Sequence, residues 1–297
     1  MMSPEMMIGG NACGADAGLA AVIVNFRTPE LTRAAVQSVL SEPGVDEVIV
    51  VDNGSADGSA EFLERTFAAN PVRIIRSDTN RGYGPGANIG VAETRAPLVL
   101  LMNSDATLVP GSLEPMRAEL LGDDRLGVVA PAVYGPDGVT LQPRSYGRLP
   151  RRREVLFRAW SAKVGRSTPA DRDPEWVSGV AMLLRRADFV RVGGFDERFT
   201  MYFEDLDLCL RLRTEGGLAR RVPSAGVVHM GGRSWQVPSD QIRCFHESKL
   251  KYFEKVGAAA LDLRCLRVLG RVRTTFARYK ARRTEGMAAA PGPGARA

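Results

Sequence analysis

The sequence predicts an α/β fold built on a mostly parallel central sheet flanked by helices. Three observations carry this. Strand-sized apolar runs alternate with helix-compatible stretches four times within about 110 residues. The polar clusters Asp52-Asn53, Asn80 to Asn88 and Asn103 to Asp105 all fall where strands end. The composition, 44% hydrophobic and 25% charged over 297 residues, is that of a globular chain and excludes a fibrous or mostly disordered one.

Taken in order, LAAVIVNF (19–26) reads as a buried strand. Thr28-Pro29-Glu30 then starts a helix, with Thr at the cap, Pro at the first helical position and an acid in the first turn. That helix is expected to run to about Ser41. EVIVVD (47–52) is a second buried strand, ended by the turn residues NGSADGS, and a helix follows from about Ala60 to Ala69. VRIIRS (72–77) is a third strand, leading into a glycine-rich loop, NRGYGPGANIG (80–90). APLVLLMN (96–103) is the fourth. In such an architecture ligands bind beyond the carboxyl ends of the strands.

The second half is less regular. GVVAPAV (127–133) followed by Gly135-Pro136-Asp137-Gly138 predicts a hairpin. WVSGVAMLLRR (176–186) and AGVVHM (225–230) read as strands, and 204–215, 238–256 and about 258–283 as helices. Residues 1–18 and 284–297, rich in Gly, Ala and Pro, are expected to be disordered. The start lacks the basic and long apolar regions of a secretory signal.

Charge is unevenly placed. The net is +6, but residues 144–166 and 261–283 each hold eight Arg or Lys against one acid, a net of +7 apiece, which leaves the rest at −8. An acidic body with two basic patches suits phosphate-bearing partners such as an anionic membrane or a pyrophosphate-linked lipid; each patch can equally be a solvated face. The confinement of charge to two segments and the lack of any recognisable motif argue against nucleic acid. No apolar run reaches the 18 to 20 residues needed to span a bilayer. The four cysteines have no CxxC spacing, which argues against a disulfide framework or structural zinc and suits a reducing cytosol.

Several residues are chemistry candidates. Asp105, just after a buried strand in Asn103-Ser104-Asp105, can ligate Mg²⁺ or Mn²⁺, or simply make an Asx turn. Asp52 can accept from a nucleobase or ribose, or shape the turn after it. Gly82-Tyr83-Gly84-Pro85-Gly86 is not the GxGxxG of a dinucleotide fold and follows the third strand, so its glycines more plausibly admit a ligand's approach. Glu204-Asp205 sits at a helix start, where neighbouring carboxylates raise each other's pKa and make a general base, or merely suit the helix dipole. His229 ends a strand and is a metal ligand, a phosphate contact or a structural histidine; His246 lies within a helix and is read as structural.

Together VVDNGSADGS (50–59), NRGYGPGANIG (80–90), LLMNSDA (100–106), WVSGVAMLLRR (176–186), VGGFDERFTMYFEDLDLCLRL (192–212) and HMGGRS (229–234) resemble glycosyltransferase family 2, in particular its bacterial rhamnosyltransferase branch. The resemblance runs from about Ala20 to Glu254. It implies an inverting GT-A enzyme with a catalytic domain over 19–256; beyond it, 257–283 reads from its own spacing as a basic amphipathic helical extension, suited to a membrane surface or packed on the catalytic domain. The resemblance implies Asp205, with Glu204 beside it, as catalytic base. Asp52 would contact the nucleobase, and Asn25, Asn80, Gly82, Asn88 and Asn103 would line the donor site. Asp105 and His229 would hold Mg²⁺ or Mn²⁺, with Asn-Ser-Asp standing where the family has DxD. The implied substrates are a nucleotide-diphospho-sugar, foremost dTDP-rhamnose, and a glycan or polyprenyl-pyrophosphate-linked acceptor in cell-surface polysaccharide synthesis. A UDP-sugar donor and a non-catalytic nucleotide-sugar-binding protein of the same fold remain alternatives. The implied location is cytoplasmic, peripheral on the inner membrane face.

Overall fold

The structure, a computed structural model, describes residues 17–143, 145–152, 172–231 and 238–288. Most of the first basic patch, expected as a mobile loop, lies outside these residues, as do residues 1–16 and 289–297.

The element order is β1 (Leu19–Asn25), α1 (Pro29–Leu40), β2 (Glu47–Asn53), α2 (Ser59–Thr66), β3 (Val72–Ser77), α3 (Tyr83–Ala92), β4 (Leu98–Asn103) and β5 (Ala106–Leu108). Then come α4 (Leu113–Gly122), β6 (Leu126–Tyr134), β7 (Tyr146–Gly147), β8 (Trp176–Val177) and β9 (Ala181–Arg185). The described chain closes with α5 (Arg186–Arg191), α6 (Glu204–Thr214), β10 (Leu218–His229), α7 (Pro238–Lys255) and α8 (Ala260–Ala288). One eight-stranded sheet has the order β3-β2-β1-β4-β9-β6-β10-β5. Pairings among β1 to β4, and of β6 with β10, are parallel; β9 and β5 run antiparallel to their neighbours.

β1 is buried at all seven positions because both faces are covered. Leu19, Ala21 and Ile23 face α1, α2 and α4, while Val22 and Val24 face the layer of α3, α6 and the C-terminal helices. Ala17 is buried and Gly18 accepts a hydrogen bond from the Leu98 amide, so ordered chain begins ahead of β1.

Three expectations need correction. The glycine-rich segment is helix from Tyr83 onward, not loop. Pro85 falls in the first turn, where no intrahelical donor is lost. The glycines serve close packing: an added Cβ would lie 2.8 Å from Val24 at Gly86 and 2.3 Å from Val22 at Gly90. Thr28 does occupy the N-cap position of α1, but its hydroxyl makes no capping bond and meets Asn25 Oδ1 and Ser104 Oγ instead. The run 176–186 is two strands, broken at Ser178–Val180, because the chain turns there toward the start of α6. The Gly135–Gly138 turn forms, with a single antiparallel bridge, Tyr134 to Leu141.

α7 and α8 run antiparallel. Glu254 accepts from Arg267 at 2.5 Å and Gly270 lets the helix close on His246. Burial pushes the His246 imidazole down to about 4, so it stays neutral and structural. The α8 backbone continues to Ala288, past the Arg283 boundary expected from sequence.

Gly90 gives a test of the close α3 approach. Ala is favoured over Gly in a helix by about 1 kcal/mol. Here overpacking against Val22 costs about 1–3 kcal/mol. Gly90→Ala is therefore expected to lower the denaturant midpoint; an unchanged or higher midpoint would show that the helix can back away freely.

Candidate active site

The carboxyl edge of β1, β2 and β4 carries three groups of side chains. At the ends of β1 and β2, Asn25 Nδ2 donates to Asp52 Oδ1 at 2.6 Å. Ser55 donates to the same oxygen from its hydroxyl at 2.6 Å, and its amide donates to Asp52 Oδ2 at 3.2 Å. Asn25 is held in turn by Thr32 Oγ1 at 2.7 Å. A carboxylate offers about four acceptor positions, so three donors leave Asp52 Oδ2 with one to spare.

Beside this, Asn53 Nδ2 donates to Asn80 Oδ1 at 3.0 Å and to the Gly82 carbonyl at 2.9 Å. Asn80 Oδ1 also receives the Gly82 amide at 2.9 Å. Gly82 has φ +102°, and an added Cβ would lie 2.1 Å from the Thr200 carbonyl oxygen, which accepts from the Tyr83 amide. Asn88 is turned elsewhere. Its amide clamps the Phe195 backbone at both ends, Oδ1 taking the amide at 2.8 Å and Nδ2 giving to the carbonyl at 2.9 Å. It is a brace between α3 and the segment before α6.

The second group is Asp105 and His229. Antiparallel pairing sets His229 opposite Ala106, which places His229 Nε2 3.3 Å from Asp105 Oδ1. Gln142 fixes the ring: Nε2 gives to the His229 carbonyl at 2.7 Å, so the other amide atom, 3.0 Å from His229 Nδ1, is the oxygen. An oxygen there requires Nδ1–H, and Nε2 is then the ring atom turned toward the Asp105 carboxylate. The two atoms can share a proton or a divalent cation. The donor set of one carboxylate oxygen and one imidazole nitrogen fits a divalent ion that completes its shell with substrate oxygens and water. No cluster of three or more metal-binding side chains occurs among the described residues. Asn103 ends β4 with its amide on the Val180 carbonyl at 3.0 Å.

The third group is Glu204 and Asp205 at the start of α6. Tyr202 and Phe203 both adopt left-handed backbone, φ +68° and +69°, a conformation costly for non-glycine residues. The turn is held from outside. Phe203 packs its ring 5.5 Å from both Phe245 and Tyr252, Gln241 donates to the Tyr202 hydroxyl at 2.8 Å, and Ser248 donates to the Met201 carbonyl at 2.7 Å. All four partners belong to α7. Behind the pair, fully buried Asp207 meets Lys255 at 2.5 Å and Arg211 at 2.8 Å. Lys255 also reaches Asp196 at 2.9 Å.

Asp205 accepts the Gly179 amide at 3.0 Å and the Leu206 amide at 2.8 Å. Glu204 is buried, and its Oε2 has no hydrogen-bond partner. Burial pushes both carboxyls up; for Glu204 the neighbouring Asp205 charge adds to it, whereas the two amides partly oppose the rise in Asp205. The Tyr83 hydroxyl donates to the Gly179 carbonyl at 3.2 Å, and its own pKa is driven up by burial and by these two carboxyls.

The turn Ser178–Val180 therefore joins the groups. The Val180 carbonyl accepts the Asn103 amide, and Gly179 donates its amide to Asp205 and accepts the Tyr83 hydroxyl at its carbonyl. Sequence reasoning missed Gln142, Tyr83, Ser55 and Gly179 as site residues. Nothing local marked Gln142, which reaches His229 only through the Tyr134–Leu141 bridge; Asn53 and Ser55 stood in plain view in the turn after β2.

A sequence model described as Glycosyl transferase family 2 matches residues 20–180. The chain belongs to glycosyltransferase family 2. The transferase is 31% identical over 242 residues to the N-acetylglucosaminyl-diphospho-decaprenol L-rhamnosyltransferase of Mycobacterium tuberculosis, covering 74% of this chain and 78% of that one. Among solved structures it is similar to the mannosyltransferase PcManGT from Pyrobaculum calidifontis in complex with GDP-Man and Mn²⁺, at 15% identity and TM-score 0.56 over 93% of this chain and 76% of that one. It is similar also to GalNAc-T7 with UDP, GalNAc and Mn²⁺, at 16% identity and TM-score 0.61 over 79% of this chain and 48% of that one. These likenesses show the fold: the family 2 transferase has the GT-A fold.

The buried carboxyl pair makes stability depend on pH. A carboxyl raised by folding binds more protons folded than unfolded between its two pKa values, so stability falls as pH rises through that interval. The fall begins near the ordinary glutamate value of about 4.3. Glu204→Gln removes the Glu204 share of this slope. The variant is expected to match the parent near pH 4 and to exceed it at neutral pH by about 1–3 kcal/mol. That is about 2–4 °C of Tm per kcal/mol for a chain of this size. Parallel Tm curves for parent and variant from pH 4 to 8 would contradict the assignment.

Proposed function

We propose that the enzyme transfers rhamnose from a dTDP-linked donor to a hydroxyl of a sugar carried on a polyprenyl diphosphate, with inversion at the anomeric carbon. The observation that carries the reading is the Asp205 carboxylate, fixed by the Leu206 amide of its own helix and by the Gly179 amide of the turn that also abuts the end of β4, in a chain 31% identical to a rhamnosyltransferase acting on a decaprenol-linked sugar.

The roles follow from the geometry. The free acceptor position on Asp52 suits the imide N–H of thymine or uracil. Asn25 and Ser55 hold that carboxylate in place, and Asn53, Asn80 and Gly82 shape the backbone beside it. Asn88 acts as a brace rather than as a contact to the donor. Asp105 and His229 would hold Mg²⁺ or Mn²⁺. A divalent cation there supplies positive charge against the departing diphosphate.

Asp205 takes the acceptor's hydroxyl proton as that oxygen bonds to the anomeric carbon from the face opposite the diphosphate. The bond from carbon to diphosphate breaks, and its electron pair leaves with the diphosphate. One displacement inverts the centre and requires one base. The unpartnered Glu204, held neutral by burial, leaves the negative charge on Asp205 alone.

Nucleoside diphosphate release from a panel of dTDP-, UDP- and GDP-sugars, with a lipid-linked acceptor supplied, tests the reading. Turnover of dTDP-rhamnose that drops by about 10²–10⁴ in Asp205→Asn is expected. Preference for a UDP-sugar would replace the donor, and binding of a donor without turnover would leave a non-catalytic module. Since Asp205 must be ionised and its pKa is raised, kcat/KM is expected to climb with pH through an inflection above the usual carboxylate range. A flat profile from pH 5 to 8 would exclude Asp205 as base.

Gln142 offers a separate check. Loss of a residue that orients a metal-binding histidine typically weakens affinity 10- to 100-fold. Gln142→Ala is expected to weaken Mn²⁺ binding, read by electron paramagnetic resonance with nucleoside diphosphate present, by that factor. Unchanged Mn²⁺ affinity would separate Gln142 from the metal.

A further inference from the structure

The outer face of α8 has no role in the fold. Its inner face is satisfied: Leu266, Gly270 and Thr274 are buried, and Leu263 and Leu269 pack against the core. On the opposite face Leu261, Val268, Val272, Phe276 and Tyr279 are 58–70% exposed, most of the large exposed hydrophobics among the described residues. Their spacing of seven, four, four and three residues puts them on one helical stripe.

Arginines run beside this stripe. Arg264, Arg271 and Arg278 recur at every seventh residue, are exposed, and make no ion pair among the described residues. No Asp or Glu occurs between Asp262 and Glu285.

That charge pattern selects the occupant. A second copy docking through the stripe would set these arginines along the seam with no carboxylate opposite, which repels. The basic segment 144–166 carries a net +7 and is repelled for the same reason. An anionic lipid surface answers both features, taking the apolar stripe at the headgroup boundary and the arginines at the phosphates. No described helix is long and apolar enough to cross a membrane, so the contact is with a surface.

We propose that the stripe Leu261–Val268–Val272–Phe276–Tyr279, with Arg264, Arg271 and Arg278 at its edge, docks the enzyme on an anionic bilayer. The geometry gives the docking a purpose. α8 packs on α7, and α7 holds the Tyr202–Phe203 turn that presents Asp205. The helix that meets lipid and the base that meets the acceptor thus share one support. The inference goes beyond the reading above and stands whichever sugar is transferred.

Co-sedimentation of the full chain with vesicles of phosphatidylcholine alone, or with about a third phosphatidylglycerol, tests it. Binding is expected only with the anionic lipid and should weaken at 0.5 M salt. Each basic residue at an anionic surface strengthens binding about fivefold. Arg264→Gln/Arg271→Gln/Arg278→Gln is therefore expected to lower it at least tenfold, and Val272→Glu/Phe276→Glu likewise. All five positions are exposed, so Tm should hold; a variant that loses Tm is replaced by Val268→Ser/Val272→Ser. Nucleoside diphosphate release with a short-chain water-soluble acceptor should be unchanged in these variants, which separates loss of docking from loss of catalysis. No binding to anionic vesicles, or binding indifferent to both sets of substitutions, would overturn the proposal. So would a dimer by light scattering that the apolar substitutions dissolve.

Discussion

The site depends on one strained turn. Two consecutive residues with side chains, Tyr202 and Phe203, are held left-handed so that Glu204 and Asp205 emerge at the head of α6. Such backbone costs of order 1–3 kcal/mol per residue and persists only where its surroundings over-determine it. Here α7 does that from outside, with an aromatic wedge and two hydrogen bonds, while the Asp207–Lys255–Asp196 pairs tie the end of α7 to the root of α6 and to the segment before it. A buried charge such as Asp207 is tolerated because it has two cationic partners, one on each oxygen. α7 is thus a structural member of the candidate site.

β1, β2 and β4 were legible because burial on both faces leaves them uniformly apolar, as in AAVIV and VIVV, whereas β3, at the sheet edge, was legible from the short apolar run of VRIIRS. β10 was half legible. Its second part, AGVVH, reads as a strand, but Arg220, Arg221 and Pro223 mask the first, and the register against β6 shifts between Val222 and Gly226. β5 is three residues long, below what periodicity can detect. The glycine-rich segment misled for a physical reason. Glycine's usual meaning is conformational freedom, but at Gly86 and Gly90 it means absence of bulk, which depends on Val22 and Val24 some sixty residues away.

The site residues divide in the same way. Asp52, Asp105, Glu204 and Asp205 stand in local patterns, at strand ends or a helix start, and the sequence exposes them. Gln142, Tyr83 and Gly179 do their work through partners 87, 96 and 26 residues distant, and no local pattern encodes such a partner. Asn88 shows the converse: a polar residue in a promising segment whose amide is consumed by the Phe195 backbone.

Gly82 has a mechanical meaning beyond its φ. The missing side chain leaves room for the Thr200 carbonyl, which then takes the Tyr83 amide. The segment beside Asn53 and Asn80 and the segment leading to Glu204 and Asp205 are therefore meshed like two gear teeth. Neither can swing out without dragging the other. A change at either segment is therefore passed to the other through backbone alone, with no side chain in between.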